Sequence, residues 1–115
     1  MRKSNRINER IELLQLAIDC DDFKEFWIQK SHPVFFINEL FIDHFTKKLK
    51  YKGKKIKKTT SEEESPKIIV VGDFTLLETK ARLQLVSSDG KRMLNISFIN
   101  NELKWKIKNS LLMVE

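Results

Sequence analysis

Residues 67–109, KIIVVGDFTLLETKARLQLVSSDGKRMLNISFINNELKWKIKN, alternate apolar and polar side chains and predict an antiparallel β-meander. Gly72-Asp73 and Asp89-Gly90 are typical of tight hairpin turns, and Asn100-Asn101-Glu102 predicts a third turn. The residues that follow, 110–115, are expected to form a short C-terminal tail.

The alternation divides the predicted sheet into an apolar face and a basic face. Because neighbouring side chains of a strand point to opposite faces, Leu77 and Trp105 are expected on the apolar face and the lysines beside Trp105 on the other. Such a basic face is either a partner-binding surface or a plain exposed sheet surface. It would carry five positive charges and one negative charge, those of Lys80, Arg82, Lys104, Lys106, Lys108 and Glu78.

The region before the meander predicts helices over about residues 5–49. Apolar residues recur at helical spacing over roughly residues 5–19, which predicts a first helix. Asp22 and Glu25 fit a capping box at the start of a short second helix. A third, largely buried helix is expected to begin near Pro33. Its apolar stripe comprises Val34, Ile37, Phe41, Phe45 and Leu49. The helices and the sheet must cover each other, so the fold class is α+β, with N-terminal helices packed on a curved antiparallel β-meander.

Between the helices and the meander, about residues 50–66 change from a lysine run to a Ser/Thr/Glu run. Eight lysines lie between residues 47 and 58, which exceeds the net charge of +6 for the whole chain. This composition predicts a mobile loop that the fold does not need, and a short strand near Tyr51 or Ile56 is the alternative. The alternative is weak contact with nucleic-acid phosphates, although Tyr51 is the one aromatic residue in the run and arginine is absent from it. The lysines assigned to that role are Lys52, Lys54, Lys55, Lys57 and Lys58.

Composition argues against several classes of protein. At 115 residues, with 41% hydrophobic and 33% charged residues, the chain fits one globular domain over residues 1–115. Cys20 is the single cysteine, so no internal disulfide can form and a cytoplasmic location is expected. No apolar run is long enough to span a membrane. One cysteine, two histidines and three glycines offer neither a metal-ligand spacing nor a phosphate-binding loop, so no metal and no cofactor are expected.

Three short motifs resemble the nuclear transport factor two-like (cystatin-like) superfamily. They are Gly72-Asp73 before a long strand, Asp89-Gly90 after it, and Trp105-Lys106-Ile107 in the last strand. The resemblance covers most of the chain and implies a cone-shaped, cystatin-like roll, in which the sheet wraps the helices and leaves an open pocket. Members of that superfamily include isomerases and dehydratases as well as binding and accessory domains, and many are dimers. The resemblance therefore implies a fold and leaves the chemistry open.

A pocket of that kind could be lined by aromatic residues and one histidine. Aromatic residues at helical or strand spacing are either pocket walls or ordinary core. His44 borders the apolar stripe of the third predicted helix and follows Asp43, which would suit proton transfer in a pocket. Adjacent helical residues point about 100° apart, so Asp43 is poorly placed to orient the imidazole, and a histidine at the core boundary is the alternative. The candidate pocket residues are Trp27, Phe41, His44, Phe45 and Trp105.

Three functions stay open on the sequence, and no catalytic residue is assigned. The first is a small cytoplasmic binding or accessory domain without enzymatic activity, for an unknown small molecule or protein. The second is an isomerase-like or dehydratase-like pocket enzyme acting on a small apolar molecule. The third is a weakly binding, basic nucleic-acid-associated protein. The resemblance also implies a homodimer that pairs through the outer face of the sheet. Because the basic face would repel its own copy and the apolar segment 110–114 has no evident partner in the predicted meander, a shifted contact is favoured, through Met93, Ile99, Leu111, Leu112 and Met113. No membrane partner is expected.

Overall fold

A helical layer and a sheet make up the part of the chain that the structure describes. The computed structural model describes residues 7–28, 34–36, 49–59, 68–102 and 104–115. Within these residues, helices pack on one face of a six-stranded sheet, and a separate two-stranded sheet is present. The α+β class predicted from the sequence is therefore confirmed.

The described residues form two helices and eight strands. The helices are α1 (Ile7–Asp19) and α2 (Asp21–Phe26). The strands are β1 (Val34–Phe36), β2 (Lys50–Tyr51), β3 (Lys54–Lys55), β4 (Lys57–Thr59), β5 (Ile68–Leu76), β6 (Lys80–Ser87), β7 (Arg92–Asn101) and β8 (Lys104–Val114). The large sheet has the order β4-β1-β5-β6-β7-β8. Strands β5 to β8 are antiparallel, as predicted, whereas β1 runs parallel to both β4 and β5. The meander is thus four strands of a larger mixed sheet.

The hydrophobic core lies between the helices and the inner face of the sheet, the face that meets α1 and α2. In α1, Leu13, Leu14 and Ala17 are fully buried, which confirms the predicted helical stripe over these residues. Alternate residues of β6 and β7 point into the same cluster, as strand periodicity requires. They are Ala81, Leu83, Leu85, Leu94, Ile96 and Phe98.

Helix α2 begins two residues earlier than the predicted capping box requires. Cys20 occupies the N-cap position, and its side chain makes no capping hydrogen bond. Asp22, the predicted cap, instead accepts a hydrogen bond from Ser110 Oγ of β8. The Asp22 carboxylate therefore binds a residue distant in the chain instead of capping its own helix.

The predicted third helix is wrong at both of its described ends. Val34–Phe36 forms β1, which lies between β4 and β5. A short continuous apolar run such as this one fits either a strand or a buried helix segment, and periodicity alone does not distinguish the two. Leu49 is buried but not helical, and its carbonyl accepts a hydrogen bond from the Ile56 N–H at 3.1 Å. Residues 37–48 lie outside the described part of the chain.

The predicted loop over 50–66 is wrong for residues 50–59, which contain β2, β3 and β4. Lys52 and Gly53 join β2 to β3 with φ of +53° and +82°, the left-handed pair of a two-residue hairpin turn. Ile56 is only 2% exposed and belongs to the core. The alternative of a short strand near Tyr51 is confirmed as β2, and Ile56 lies between β3 and β4. The rest of the predicted loop lies outside the described residues.

The predicted hairpin turn at Gly72-Asp73 is also wrong, since both residues lie within β5 at a β-bulge. A Cβ added at residue 72 would overlap the side-chain oxygen of Gln84, the flexible end of a side chain of β6 that would then have to move. The chain turns instead at Leu77, whose N–H donates to the carbonyl of Lys80 at 2.8 Å. Leu77, predicted on the apolar face, is 57% exposed.

The other two predicted turns are confirmed. Gly90 has a φ of +77°, and its N–H donates to the carbonyl of Ser87 at 2.8 Å, which closes the hairpin between β6 and β7. Glu102, between β7 and β8, has a left-handed φ of +55°. Both positions thus take the positive φ that tight turns favour.

Strand β8 shows that the predicted C-terminal tail over 110–115 is wrong. β8 continues to Val114, because β7 begins at Arg92 and supplies pairing partners along β8 on both sides of Lys108. Leu112 of this extension packs against the core. The sequence pattern did not reveal this pairing, since it depends on where a distant strand begins.

Candidate functional site

A groove opens on the outer face of the sheet, the face turned away from α1 and α2. Directly opposed residues of antiparallel strands point to the same face, so strand register brings the side chains of the groove together. The groove has a volume of about 250 Å³. It follows two cross-strand rows, of which the first is Thr75, Arg82, Ser97 and Asn109 and the second is Lys80 and Ile99.

Two exposed apolar side chains bound this groove. Leu77, in the turn between β5 and β6, is 57% exposed, and Ile99 of β7 is 38% exposed. A single exposed apolar residue is ordinary on a protein surface. Two of them beside one cavity provide a concave apolar contact area, which is a feature of small-molecule sites.

Three cations line the same groove, namely Lys80, Arg82 and Lys108, and all three are exposed. Lys108 enters the groove through an irregularity in β8, where the register with β7 shifts and leaves it without a cross-strand partner. Within the part of the chain that the structure describes, no carboxylate pairs with any of the three. The groove therefore combines unbalanced positive charge with uncovered apolar surface.

The charged side chains among the described residues that line the groove are cations. No histidine, cysteine, aspartate or glutamate is among these described residues. The arrangement can bind and orient an anion through Lys80, Arg82 and Lys108, with hydroxyl and amide groups from Ser97 and Asn109 beside them.

Both tryptophans of the predicted pocket lie in the hydrophobic core. Trp27 and Trp105 are each 4% exposed. Trp105 Nε1 donates to Glu9 Oε2 at 3.1 Å, which joins β8 to α1. These two residues therefore fit the alternative that the sequence left open, aromatic core. The other predicted pocket residues lie outside the described part of the chain and are Phe41, His44 and Phe45.

The lysines predicted to contact phosphates lie in the β2–β3 hairpin and in β4, away from the groove lining. They are Lys52, Lys54 and Lys55 of the hairpin, which are exposed, and Lys57 and Lys58 of β4. Tyr51, the aromatic residue within this run, packs its ring against Phe23 with centroids 5.5 Å apart. Lys52 Nζ lies 5.3 Å from the centroid of the same ring. The hairpin therefore lacks a free aromatic ring of the kind on which single-stranded bases stack.

The described residues contain neither an activated thiol nor a metal site. Cys20 is half-buried, and this burial raises the pKa of its thiol, which disfavours the reactive thiolate. No three histidine, cysteine, aspartate or glutamate side chains in the described ranges are grouped so that they could hold a metal ion. In the same ranges, no helix is long and apolar enough to cross a membrane.

Sequence reasoning found the charges of the groove and missed its apolar walls. The alternation places Lys80, Arg82 and Lys108 on one polar face, and the structure brings all three to the groove. Leu77 was missed because strict alternation assigns it to the apolar face. The available signal is a pair of adjacent apolar residues, such as Leu76-Leu77, since two neighbours in one strand cannot both face the core.

Comparison with known proteins gave no match to a protein-family model, to a curated protein or to a solved structure. The resemblance to the nuclear transport factor two-like superfamily therefore stays a prediction. Any function for this chain has to follow from the geometry and chemistry of its own residues.

Proposed function

We propose that the protein is a non-enzymatic binding domain that holds a small amphipathic anion, an acidic group joined to an apolar chain or ring, in the outer-face groove. One observation carries the proposal: exposed apolar side chains and cations that pair with no carboxylate of the described residues surround the same cavity. The proposal keeps the binding domain expected from the sequence. It moves the site from an inner aromatic pocket to the outer face of the sheet.

The acidic group of the ligand would neutralise the positive charge of the groove. Like charges on neighbouring strands destabilise a sheet unless water or counter-ions screen them. An anion between Lys80, Arg82 and Lys108 removes this repulsion. The guanidinium of Arg82 offers two parallel N–H donors, which match a carboxylate or a sulfonate. Ser97, half-buried in the row that contains Arg82, provides a hydroxyl group beside them.

The apolar part of the ligand would cover the exposed apolar side chains that border the groove. Leu77 and Ile99 present apolar surface to water, and covering such surface is worth roughly 25 cal/mol per Å². An inorganic anion would leave this surface exposed. A cavity of about 250 Å³ is suited to a short aliphatic chain or a single ring.

The two alternative functions depend on other parts of the chain. An isomerase-like or dehydratase-like enzyme would need His44 or Asp43, and both lie outside the described residues. Nucleic-acid binding would depend on the β2–β3 hairpin, where the ring of Tyr51 already packs against Phe23. A cone-shaped, cystatin-like roll and a cytoplasmic location are compatible with the proposal. A sheet wrapped round the helices would leave its outer face accessible to a ligand.

Calorimetric titration with decanoate and with decanol tests the proposal. Decanoate should bind saturably at low salt and more weakly as salt is raised, because exposed charges are screened. Decanol, which has the same chain without the charge, should bind at least tenfold more weakly. Arg82→Gln should weaken decanoate binding about tenfold, a loss of about 1.4 kcal/mol. Lys24→Gln, at an exposed lysine of α2, is the matched control and should change nothing.

Three results would contradict the proposal. The first is an absence of saturable decanoate binding up to millimolar concentration. The second is equal binding of decanol, which would make the cations irrelevant. The third is an equal loss of affinity in Arg82→Gln and Lys24→Gln, which would indicate diffuse attraction to the net positive charge of the chain rather than a site.

A further inference from the structure

We infer that the C-terminal half of β8 binds the same segment of a second copy of the chain, so that two sheets join edge to edge through antiparallel β8 strands. β8 is the last strand of the six-stranded sheet and is 11 residues long. An edge strand leaves part of its N–H and C=O groups without a partner in the sheet and can pair with another strand.

The two halves of β8 differ in the features that normally prevent such pairing. The first half carries Lys104, Lys106 and Lys108, and Lys108 lies at the irregularity in the ladder. Charged side chains, lysine above all, and irregular ladders are the usual protections of an edge. The second half, residues 109–114, reads NSLLMV and carries no charge. The unprotected length is therefore about half of the strand.

The exposed side chains of this half favour a polypeptide partner. Leu111 is 58% exposed and Met113 is 43% exposed, and their β7 partners Asn95 and Met93 are only half-buried. Cross-strand apolar pairs contribute to strand pairing when they lie directly opposite each other. A strand added beside β8 would cover Leu111 and Met113 from the side that β7 does not reach.

Charge complementarity favours a second copy of this chain as the partner. Antiparallel pairing of two identical edges requires a two-fold axis perpendicular to the sheet, so residues of the same face oppose each other. If the axis passes through Leu111 or through Leu112, the uncharged half of β8 in one copy pairs with the uncharged half of β8 in the other. In both registers, the residue of the second copy that lies opposite Glu115 is adjacent in sequence to Lys108. The negative charge of Glu115 would therefore lie near the positive charge of Lys108. The N–H of Glu115 donates to the carbonyl of Lys91 at 2.8 Å, which holds this residue in line with the sheet.

The opposite edge of the sheet favours a closed dimer over an open chain of copies. That edge is β4, which has three residues, Lys57–Thr59, two of them lysines. Short, charged edge strands are poor templates for pairing. Pairing of β8 with β4 of another copy would repeat indefinitely, whereas pairing of β8 with β8 closes after two copies. A contact of about six residues a side is small, so the dimer should be weak and dependent on concentration.

Analytical ultracentrifugation from micromolar to millimolar concentration tests the inference. The wild-type chain should shift from monomer to dimer and no further. Leu111→Lys places two lysines near each other at the two-fold axis and should raise the dissociation constant at least tenfold. Ile99→Lys is the matched control, because it makes the same change at an exposed apolar residue on the outer face, but on the interior strand β7. It should leave the dimer intact.

Cysteine cross-linking locates the contact. In a Cys20→Ser background, Leu111→Cys alone, or mixed with a Met113→Cys chain, should form an intermolecular disulfide in the presence of oxidised glutathione. Leu77→Cys, equally exposed but in the turn between β5 and β6, should not. A wild-type chain that stays monomeric throughout, growth beyond a dimer, or equally fast cross-linking through Leu77→Cys would each overturn the inference. Decanoate binding by the Leu111→Lys chain should be unchanged, which separates this contact from the groove.

Discussion

The inner and outer faces of the sheet belong to the same four antiparallel strands and have opposite physical properties. The inner face is filled by apolar residues against the helices, and Ser87 is the one buried polar side chain among the described residues. The outer face carries the exposed cations of the groove and exposed apolar residues such as Leu77 and Ile99. The difference shows that stability is concentrated on one face. The other face can vary its side chains, and therefore bind ligands, at little cost to folding.

The largest expected effect is at Trp105 on the inner face. Trp105→Ala removes a side chain that is 4% exposed and the hydrogen bond to Glu9, and it leaves a cavity. We expect the free energy of unfolding to fall by about 3–5 kcal/mol. Urea denaturation of the variant measures this loss. Ile99→Ala, on the outer face, is the control and should cost no more than about 1 kcal/mol. Equal losses from the two variants would remove the distinction between the faces.

A smaller effect is expected at Ile56, which connects the β2–β3 hairpin to the core. Ile56→Ala should cost about 2 kcal/mol, near the low end for a buried isoleucine, because a peripheral two-stranded sheet can relax into the space. Lys55→Ala, at the exposed neighbouring residue, should change stability by less than about 0.5 kcal/mol. Thermal denaturation of both variants makes the comparison. If Ile56→Ala is as stable as Lys55→Ala, this segment is the dispensable loop that its composition indicates.

The smallest effect is expected at the β6–β7 hairpin, where the inner face ends in Ser87. Ser87 Oγ donates to Asp89 Oδ1 at 2.6 Å, and the N–H of Lys91 donates to the same oxygen at 3.0 Å. The Ser87 hydrogen bond, above all, lowers the pKa of the Asp89 carboxyl in the folded chain. The folded chain therefore binds the proton less readily than the unfolded chain does, and the ionised carboxylate stabilises the fold.

This stabilisation is complete above the ordinary aspartate pKa of 3.8 and is lost as the pH falls through the lower folded value. Asp89→Asn should lower the melting temperature slightly at neutral pH, and the gap to the wild type should close in acid. Melting curves across that range measure the gap. Since Asp89 is exposed, the shift should be no more than a few degrees. A gap that stays constant into acid would show that the charge of Asp89 has no part in it.

The elements that could be predicted are those whose pattern is local. Helix α1 follows from the spacing of Leu14 and its apolar neighbours, and the β6–β7 hairpin follows from Asp89-Gly90 and the alternation on both sides. The cationic lining of the groove follows from the same alternation, because the period of a strand assigns each charge to a face. Composition predicted a mobile loop for the lysine-rich segment, but one buried side chain, that of Ile56, connects this segment to the core.

By itself, the sequence determined the fold class, the inner-face alternation of β6 and β7 and the basic character of the outer face. These features depend on periods of two and 3.6 residues, which are visible in any short stretch of chain. Tertiary structure alone decided that Val34–Phe36 is a strand, that β8 extends to Val114, and that Leu77 turns outward to border the groove. Each of these depends on partners distant in the chain, because a strand is completed by the hydrogen bonds of its neighbours and not by its own residues.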